Sequence, residues 1–360
     1  GAATYASTSD LNTIQTNSGE TVTYTKLNDT ASNLVTNKAD IVAGVAATLV
    51  ETGAAATLAT VAQIGTLNTQ VTSAGSGATL TYTKLHDTAT NLAAAAGSVL
   101  SGKTITIDET GGASTYADTT ELNSIQSKMG GGSVTYTKLT DTASNLDTNK
   151  ADIVAGVTAT AVETGAASTL ATIAQINSLQ AQASGVGGGA SFVYTKVNDT
   201  SANIVANVVG GAIQDITGKT VTVTTASNVT NYAAMITAAT DGGAAGTVAG
   251  AVVDSASNLE TVTLTNATSV TAEISNANDL TALTLDSEVT HIDISTNSVT
   301  NVLLDINDLT NRTVVNTGSG SYKVKDTATV LAGASSSLLS GQTVVINDGV
   351  TAATTTELNT

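Results

Sequence analysis

Residues able to do chemistry are few in this chain of 360, and three groupings have spacings that suggest a ligand or a reaction. Gly97-Ser-Val-Leu-Ser-Gly-Lys-Thr104 fits GxxxxGK[ST], where a glycine turn after a strand opens a helix whose N–H groups hold phosphate. Here the order is reversed: a helical stretch, Ala89–Ala96, precedes the motif and an alternating strand, Thr104–Ile107, follows it. Gly218-Lys219-Thr220 lacks the upstream glycine and Gly341-Gln342 lacks the lysine, so the motif reads as a turn. Asp29, Asp87, Asp141, Asp199 and Asp326 recur in one repeated word. They suit a calcium ladder, since calcium takes carboxylate oxygens, but a helix N-cap asks for the same residue at the same place and is the preferred reading. Lys26, Lys84, Lys138 and Lys196 recur three residues before four of those aspartates. A catalytic lysine is not needed four times, so a solvated or Asp-paired ladder is expected. His86 stands where other repeats carry Asn28, Thr140 or Asn198, as surface variation does. His291 and Asp293 share one face of a strand, without a nucleophile beside them. No catalytic or cofactor-binding residue is assigned, and no metal ligands are named.

Composition narrows the functions further. Cysteine is absent, which excludes disulfides, zinc thiolate sites and a cysteine nucleophile. Twelve basic against 29 acidic residues, a net charge of −17, oppose nucleic-acid binding, which needs a basic footprint. The longest apolar run, Ile41–Val50, has ten residues, short of the roughly 18 that a membrane-spanning helix needs, so no membrane insertion is expected. Asn28, Asn198, Asn228, Asn266 and Asn311 satisfy Asn-x-Ser/Thr and matter only where secreted proteins are glycosylated. Much of the 41% apolar content is alanine and only 11% of residues are charged. This favours a core of small side chains over a disordered chain.

The elements that must position these residues are repeats. Thr23-Tyr-Thr-Lys-Leu-Asn-Asp-Thr-Ala-Ser-Asn-Leu34 returns at 81–92, at 135–146 and, more loosely, at 193–204. The tyrosines Tyr24, Tyr82, Tyr136 and Tyr194 step by 58, 54 and 58, and alternate copies lie 112 apart (136 − 24). Each 112-residue unit holds four pieces, 112/4 = 28 residues on average. A piece opens with a Thr- and β-branched-rich alternation that predicts a strand. It continues through Asp-Thr or Glu-Thr (Asp29-Thr30, Glu51-Thr52, Asp87-Thr88, Glu109-Thr110) to an Ala-rich stretch at helical spacing, such as Leu58, Val61, Ile64 and Leu67. Such a piece cannot bury its apolar face alone, whereas stacked copies share one core.

The expected fold is therefore a repeat β-solenoid with a parallel sheet along its axis and short helices on one wall. The tyrosines should fall at equivalent places on alternate coils. Residues 1–111 and 112–224 form two super-repeats. Residues 225–320 diverge into mostly β coils, with words such as Leu259-Glu-Thr-Val-Thr-Leu264 and Leu280-Thr-Ala-Leu-Thr-Leu285. Residues 321–360 return to the pattern and stop mid-unit at Thr356-Glu-Leu-Asn-Thr360, which resembles Ser9-Asp-Leu-Asn-Thr13. From these ends a window on a longer chain, or ends that stack on neighbouring subunits, is expected.

Words such as Asp29-Thr-Ala-Ser-Asn-Leu34 and Leu259-Glu-Thr-Val-Thr-Leu264, in a Cys-free, acidic, Thr/Ala/Gly-rich chain, resemble large secreted repeat proteins of bacteria: giant adhesins, S-layer-like proteins and proteins exported with calcium-binding repeats. The resemblance implies an extracellular, cell-surface, bacterial β-solenoid that forms a coat, fibre or stalk, with calcium as the implied ion. The chain departs from the exported families in lacking their Gly-Gly-x-Gly-x-Asp nonapeptides. The expected function is non-enzymatic: a self-assembling surface layer, sheath or filament, its partner being itself, end to end and laterally. The alternative is the shaft of an adhesin or phage tail fibre whose binding domain lies elsewhere. A polysaccharide lyase is the third class, but near-regular repeats offer no long loop for a cleft.

Overall fold

In a computed structural model, residues 5–52, 57–209, 215–277, 279–280 and 283–347 are described here. Every strand pairing among them is parallel. Lys26–Asp29, Ala46–Leu49 and Thr79–Thr81 make one sheet; Lys84–Asp87, Thr104–Ile107 and Ser133–Thr135 a second; Lys138–Asp141, Thr158–Ala161 and Ser191–Val193 a third. A six-stranded sheet orders Lys196–Asp199, Thr220–Val223, Thr247–Ser255, Ala267–Glu273, His291–Asp293 and Thr313–Val315. Val302–Leu304, Tyr322–Asp326 and Thr343–Ile346 form the last. The chain divides into two compact units, Gly1–Val162 with Asn177–Val193, and Glu163–Ile176 with Tyr194–Thr360.

In a parallel ladder the residue offset between partners is the length of the intervening turn of chain, called a rung below. Lys26 pairs with Ala46, an offset of 20 (46 − 26), whereas Ala46 pairs with Thr79, an offset of 33 (79 − 46). The next two offsets are 20 and 29, from Lys84 to Thr104 and from Thr104 to Ser133. The average of 28 thus conceals an alternation of short and long rungs. A long rung leaves the ladder after Glu51 and returns for one parallel bridge, Ala59 with Leu85; Ala6–Leu27, Ala117–Leu139 and Ala171–Val197 repeat it. Those returning alanines are small enough to lie against the strand, and Ala59, Ala117 and Ala171 are fully buried.

Strand burial alternates, so that Leu27, Leu85, Ile105, Leu139 and Val197 point inward, as a period of two requires. Short rungs carry six-residue helices, Ala31–Thr36, Ala89–Ala94, Ala143–Thr148 and Ala328–Gly333. Each is capped by the threonine before it, whose hydroxyl accepts the N–H three residues on. Long rungs carry longer helices. Val61–Ala74 starts at Thr60 and Thr119–Lys128 at Asp118, both with capping boxes. Among the described residues of 225–320 the strands are joined by two α-helices, Val229–Ala239 and Ile306–Asn311, and two short 3-10 turns, Asp241–Gly243 and Ala256–Leu259. The tyrosines are equivalent in bonding: Tyr24, Tyr82, Tyr136 and Tyr194 donate their hydroxyls to the carbonyls of Asp40, Val99, Asp152 and Asp215. Among the described residues no helix is long and apolar enough to cross a membrane.

Candidate functional site

The recurrent aspartates hold neighbouring rungs together. One carboxylate oxygen of Asp29 accepts the first helical N–H of the preceding rung, from Thr8 at 3.0 Å. Asp87 does the same for Val61 at 2.9 Å, Asp141 for Thr119 at 3.2 Å, Asp199 for Ile173 at 2.9 Å and Asp326 for Ile306 at 3.2 Å. The other oxygen accepts the N–H of the next residue, Thr30, Thr88, Thr142, Thr200 or Thr327, at 2.7–2.8 Å. In four of the five it also accepts an asparagine amide four residues on: Asn33, Asn91, Asn145 or Asn203. The N-cap reading therefore needs correcting. The threonine caps the helix that follows, and the aspartate caps the helix that came before, across the ladder. Burial alone would raise the Asp29 carboxyl. The bonds from Thr8, Asn33 and Thr30 outweigh it and hold that carboxyl below the usual carboxylate range.

The glutamates of the long rungs do a second job. Glu51 accepts the N–H groups of Thr83 (2.7 Å) and Lys84 (2.9 Å) and the Thr83 hydroxyl. Glu109 and Glu163 repeat the pattern on Thr137–Lys138 and Thr195–Lys196. These are the places where the neighbouring backbone has left the ladder, so the carboxylate stands in for the missing carbonyls.

The other groupings resolve in the same direction. Lys103 of the phosphate-like motif donates to the Tyr82 carbonyl at 2.8 Å, with its ammonium over the Tyr82 ring. Lys219 repeats this on Tyr194. Lys26 and Lys138 lie over the rings of Tyr5 and Tyr116. The ion pairs among the described residues are Lys150–Asp147 and Arg312–Asp308, so the Asp-paired lysine ladder is not found. His291 is bonded through Nδ1 to the Thr290 hydroxyl at 2.8 Å, while Asp293 accepts Ser295 and Thr296. The pair is not brought together. At Asp29 and Asp141 all four acceptor positions of the carboxylate are taken by protein donors, and at Asp87 and Asp199 three are, which leaves little for a calcium ion on these oxygens. Among the described residues no group of three or more His, Asp or Glu could hold a metal ion.

The most site-like cluster lies in the divergent segment, around a pocket lined by Asp305, Asp308, Lys325, Asp326 and Asn347. Asp305 caps the helix Ile306–Asn311, and Asp308 closes the capping box. Arg312, the one arginine of the chain, is almost wholly buried. It donates to Asp308 at 2.8 Å and to the carbonyls of Leu285 and Asp286. Burial pushes the Asp308 carboxyl up to about 6, with Asp305 adding to the rise and Arg312 opposing it. A carboxyl whose folded pKa exceeds its unfolded value binds more protons when folded, so its ionisation costs stability. Stability is expected to fall as pH rises from about 4 to about 6 and to level off above. Asp308→Asn should flatten that slope in urea titrations. An unchanged slope would place the titration elsewhere.

Asp254, its carboxylate on Val229 (3.0 Å), Ser255 and Asn258, belongs to the same ladder but is absent from the sequence reading. Its word, Asp254-Ser-Ala-Ser-Asn-Leu259, is the repeated word with serine for threonine, a signal within reach. Glu51 and Glu109 stand out in the sequence through the recurring Glu-Thr pair, and Glu163-Thr164 lies 112 residues after Glu51-Thr52, but what these glutamates and Arg312 bind has no local signal, since it depends on where another rung's backbone runs.

No family model, no curated protein and no solved structure matches this chain.

Proposed function

We propose that the rungs are coils of a β-solenoid and that the chain is a non-enzymatic structural protein, assembling with copies of itself into an extracellular surface layer, sheath or filament of a bacterial cell. The observation that carries this reading is the aspartate ladder. Six carboxylates, from Asp29 to Asp326, each accept an N–H at the helix start of the preceding rung and the N–H of the residue that follows them, binding one rung to the next. Side chains that repeat in this way serve the repeat, whereas a reaction centre needs convergent groups that differ from their counterparts elsewhere. Stacked repeats with few charges per rung also suit a material built by addition of like units.

The test is electron microscopy of the native protein across a range of concentrations, at near-physiological salt to screen the −17 charge, with and without chelator. Ordered filaments or a lattice are expected. Particles that stay single at all concentrations would overturn the reading. Dissolution by chelator would locate bridging cations between molecules.

A further inference from the structure

We propose that Asn266 is an N-glycosylation site, the one of the five Asn-x-Ser/Thr sequons that the folded chain presents to a glycan transferase. This rests on the reading of the protein as a surface material, because N-linked sugars are added to exported chains.

The chemistry sets what an acceptor must offer. The carboxamide nitrogen attacks the anomeric carbon of an oligosaccharide carried on a lipid pyrophosphate. A nitrogen–carbon bond forms and the bond from that carbon to the pyrophosphate oxygen breaks. The lipid pyrophosphate leaves with the electron pair, and one amide proton passes to a base of the transferase. The carboxamide therefore has to be free of other partners, and the hydroxyl two residues on has to be open to the enzyme. The backbone between them has to be reachable, neither wound into a helix nor clamped between two strands.

Four sequons fail these requirements. Asn28 is held between Ala6 and Thr48, and Asn198 between Ala171 and Thr222. Both have a buried carboxamide oxygen, and the hydroxyls of Thr30 and Thr200 are occupied as helix caps. Asn228 caps Val229–Ala239 by accepting the Asn231 N–H at 2.8 Å, which leaves Thr230 in the first helical turn. Asn311 ends the helix Ile306–Asn311, and its amide nitrogen donates to the Asn307 carbonyl at 3.0 Å and side-chain oxygen at 2.7 Å.

Asn266 meets them all. It is the third residue of a turn closed by the Ala267 N–H on the Leu264 carbonyl at 2.9 Å. Its φ of 64° is the left-handed conformation that such a turn asks of this position and that asparagine tolerates. The ladder register then slips: Gly250 pairs with Ala267, but Ala251 pairs with Ser269. Thr268 is thus the extra residue of a β-bulge, which is left unpaired and re-aims its side chain. On the other side the ladder to His291–Asp293 begins only at Thr271, so the sequon is flanked on one side alone. Asn266 and Thr268 are both exposed, and among the described residues neither side chain has a hydrogen-bond partner.

The test is peptide mass spectrometry of the protein isolated from the cells that make it. Cleavage after Glu260 and Glu273 releases residues 261–273. That peptide is expected to carry a sugar mass that fragmentation places on Asn266. Asn266→Gln and Thr268→Ala should each abolish the addition and Thr268→Ser should keep it, all three with an unchanged circular dichroism spectrum. A sugar on Asn28, Asn198, Asn228 or Asn311 instead, or on a hydroxyl of the 261–273 peptide, would overturn the assignment. So would a bare peptide from protein that surface labelling of intact cells shows to lie outside the cell, a result that leaves the surface reading standing. A bare peptide from protein that no surface label reaches would overturn both.

Discussion

Replacing Asp87 with alanine is expected to destabilise the unit formed by Gly1–Val162 and Asn177–Val193 by about 3 kcal/mol, more than any single helix cap should cost. The carboxylate is buried and accepts the Val61 N–H at 2.9 Å, the Thr88 N–H at 2.8 Å and the Asn91 amide at 2.8 Å. Hydrogen bonds to a charged group contribute about 1.5–3 kcal/mol each, though not additively when they share one acceptor group. Alanine also leaves the Val61 N–H without its acceptor at a helix start, where other partners are scarce. For a unit of this size such a loss lowers the melting temperature by roughly 6–12 °C. Thr88→Ala is the discriminating control. It removes only the cap of the following helix, the Asn91 N–H to the Thr88 hydroxyl, and should cost about 1 kcal/mol. If Asp87→Ala proves no worse than Thr88→Ala in parallel urea titrations, the aspartate is not holding two rungs together. Asp87→Asn should fall between them, since its carboxamide keeps one acceptor oxygen and turns an NH2 toward donors.

What was legible in the sequence follows from the range of each interaction. The strands at Lys26–Asp29, Lys84–Asp87 and Thr104–Ile107 were readable because alternation and threonine content are local. So was the reversed order of elements around the phosphate-like motif, with the helix Ala89–Ala94 before it and the strand Thr104–Ile107 at its end, whereas its first four residues, read as turn, form the short helix Gly97–Leu100. Asp29 and its counterparts were half legible. The sequence shows an aspartate ahead of a helix, but the helix that it caps starts 21 residues earlier, at Thr8, and only the ladder's register reveals that. The alternation of 20- and 33-residue rungs was hidden for the same reason: a mean period is visible in the repeats, and the pairing offsets are not. Arg312 is the extreme case. Nothing in Asn311-Arg312-Thr313 distinguishes a buried arginine that binds the carbonyls of Leu285 and Asp286 from a solvated one.

Tyr232 tests how far the divergent segment still obeys the repeat, and its truncation should have the largest effect of any core change. Four residues after the cap Asn228, it occupies the position held by Leu11, Ile64 and Leu122 in the equivalent helices, and it is wholly buried. Its hydroxyl donates to the Val248 carbonyl at 2.9 Å and lies 3.4 Å from that of Thr265, so an aliphatic slot also carries a polar link to the strand Thr247–Ser255. Burial, with Glu288 nearby, pushes the phenol up to about 12, which keeps it a neutral donor at any working pH. Tyr232→Ala leaves a cavity the size of an aromatic ring and should cost about 4 kcal/mol. Tyr232→Phe keeps the packing and leaves a buried carbonyl without its donor, for about 1–2 kcal/mol. Tyr232→Leu restores the side chain that the repeat prefers and should cost less than the alanine change, because the surrounding rungs already accept leucine in this slot elsewhere. If leucine is as damaging as alanine, the slot has been reshaped around the aromatic ring, and the segment has left the packing rule of the repeats even where it keeps their Asp254 ladder.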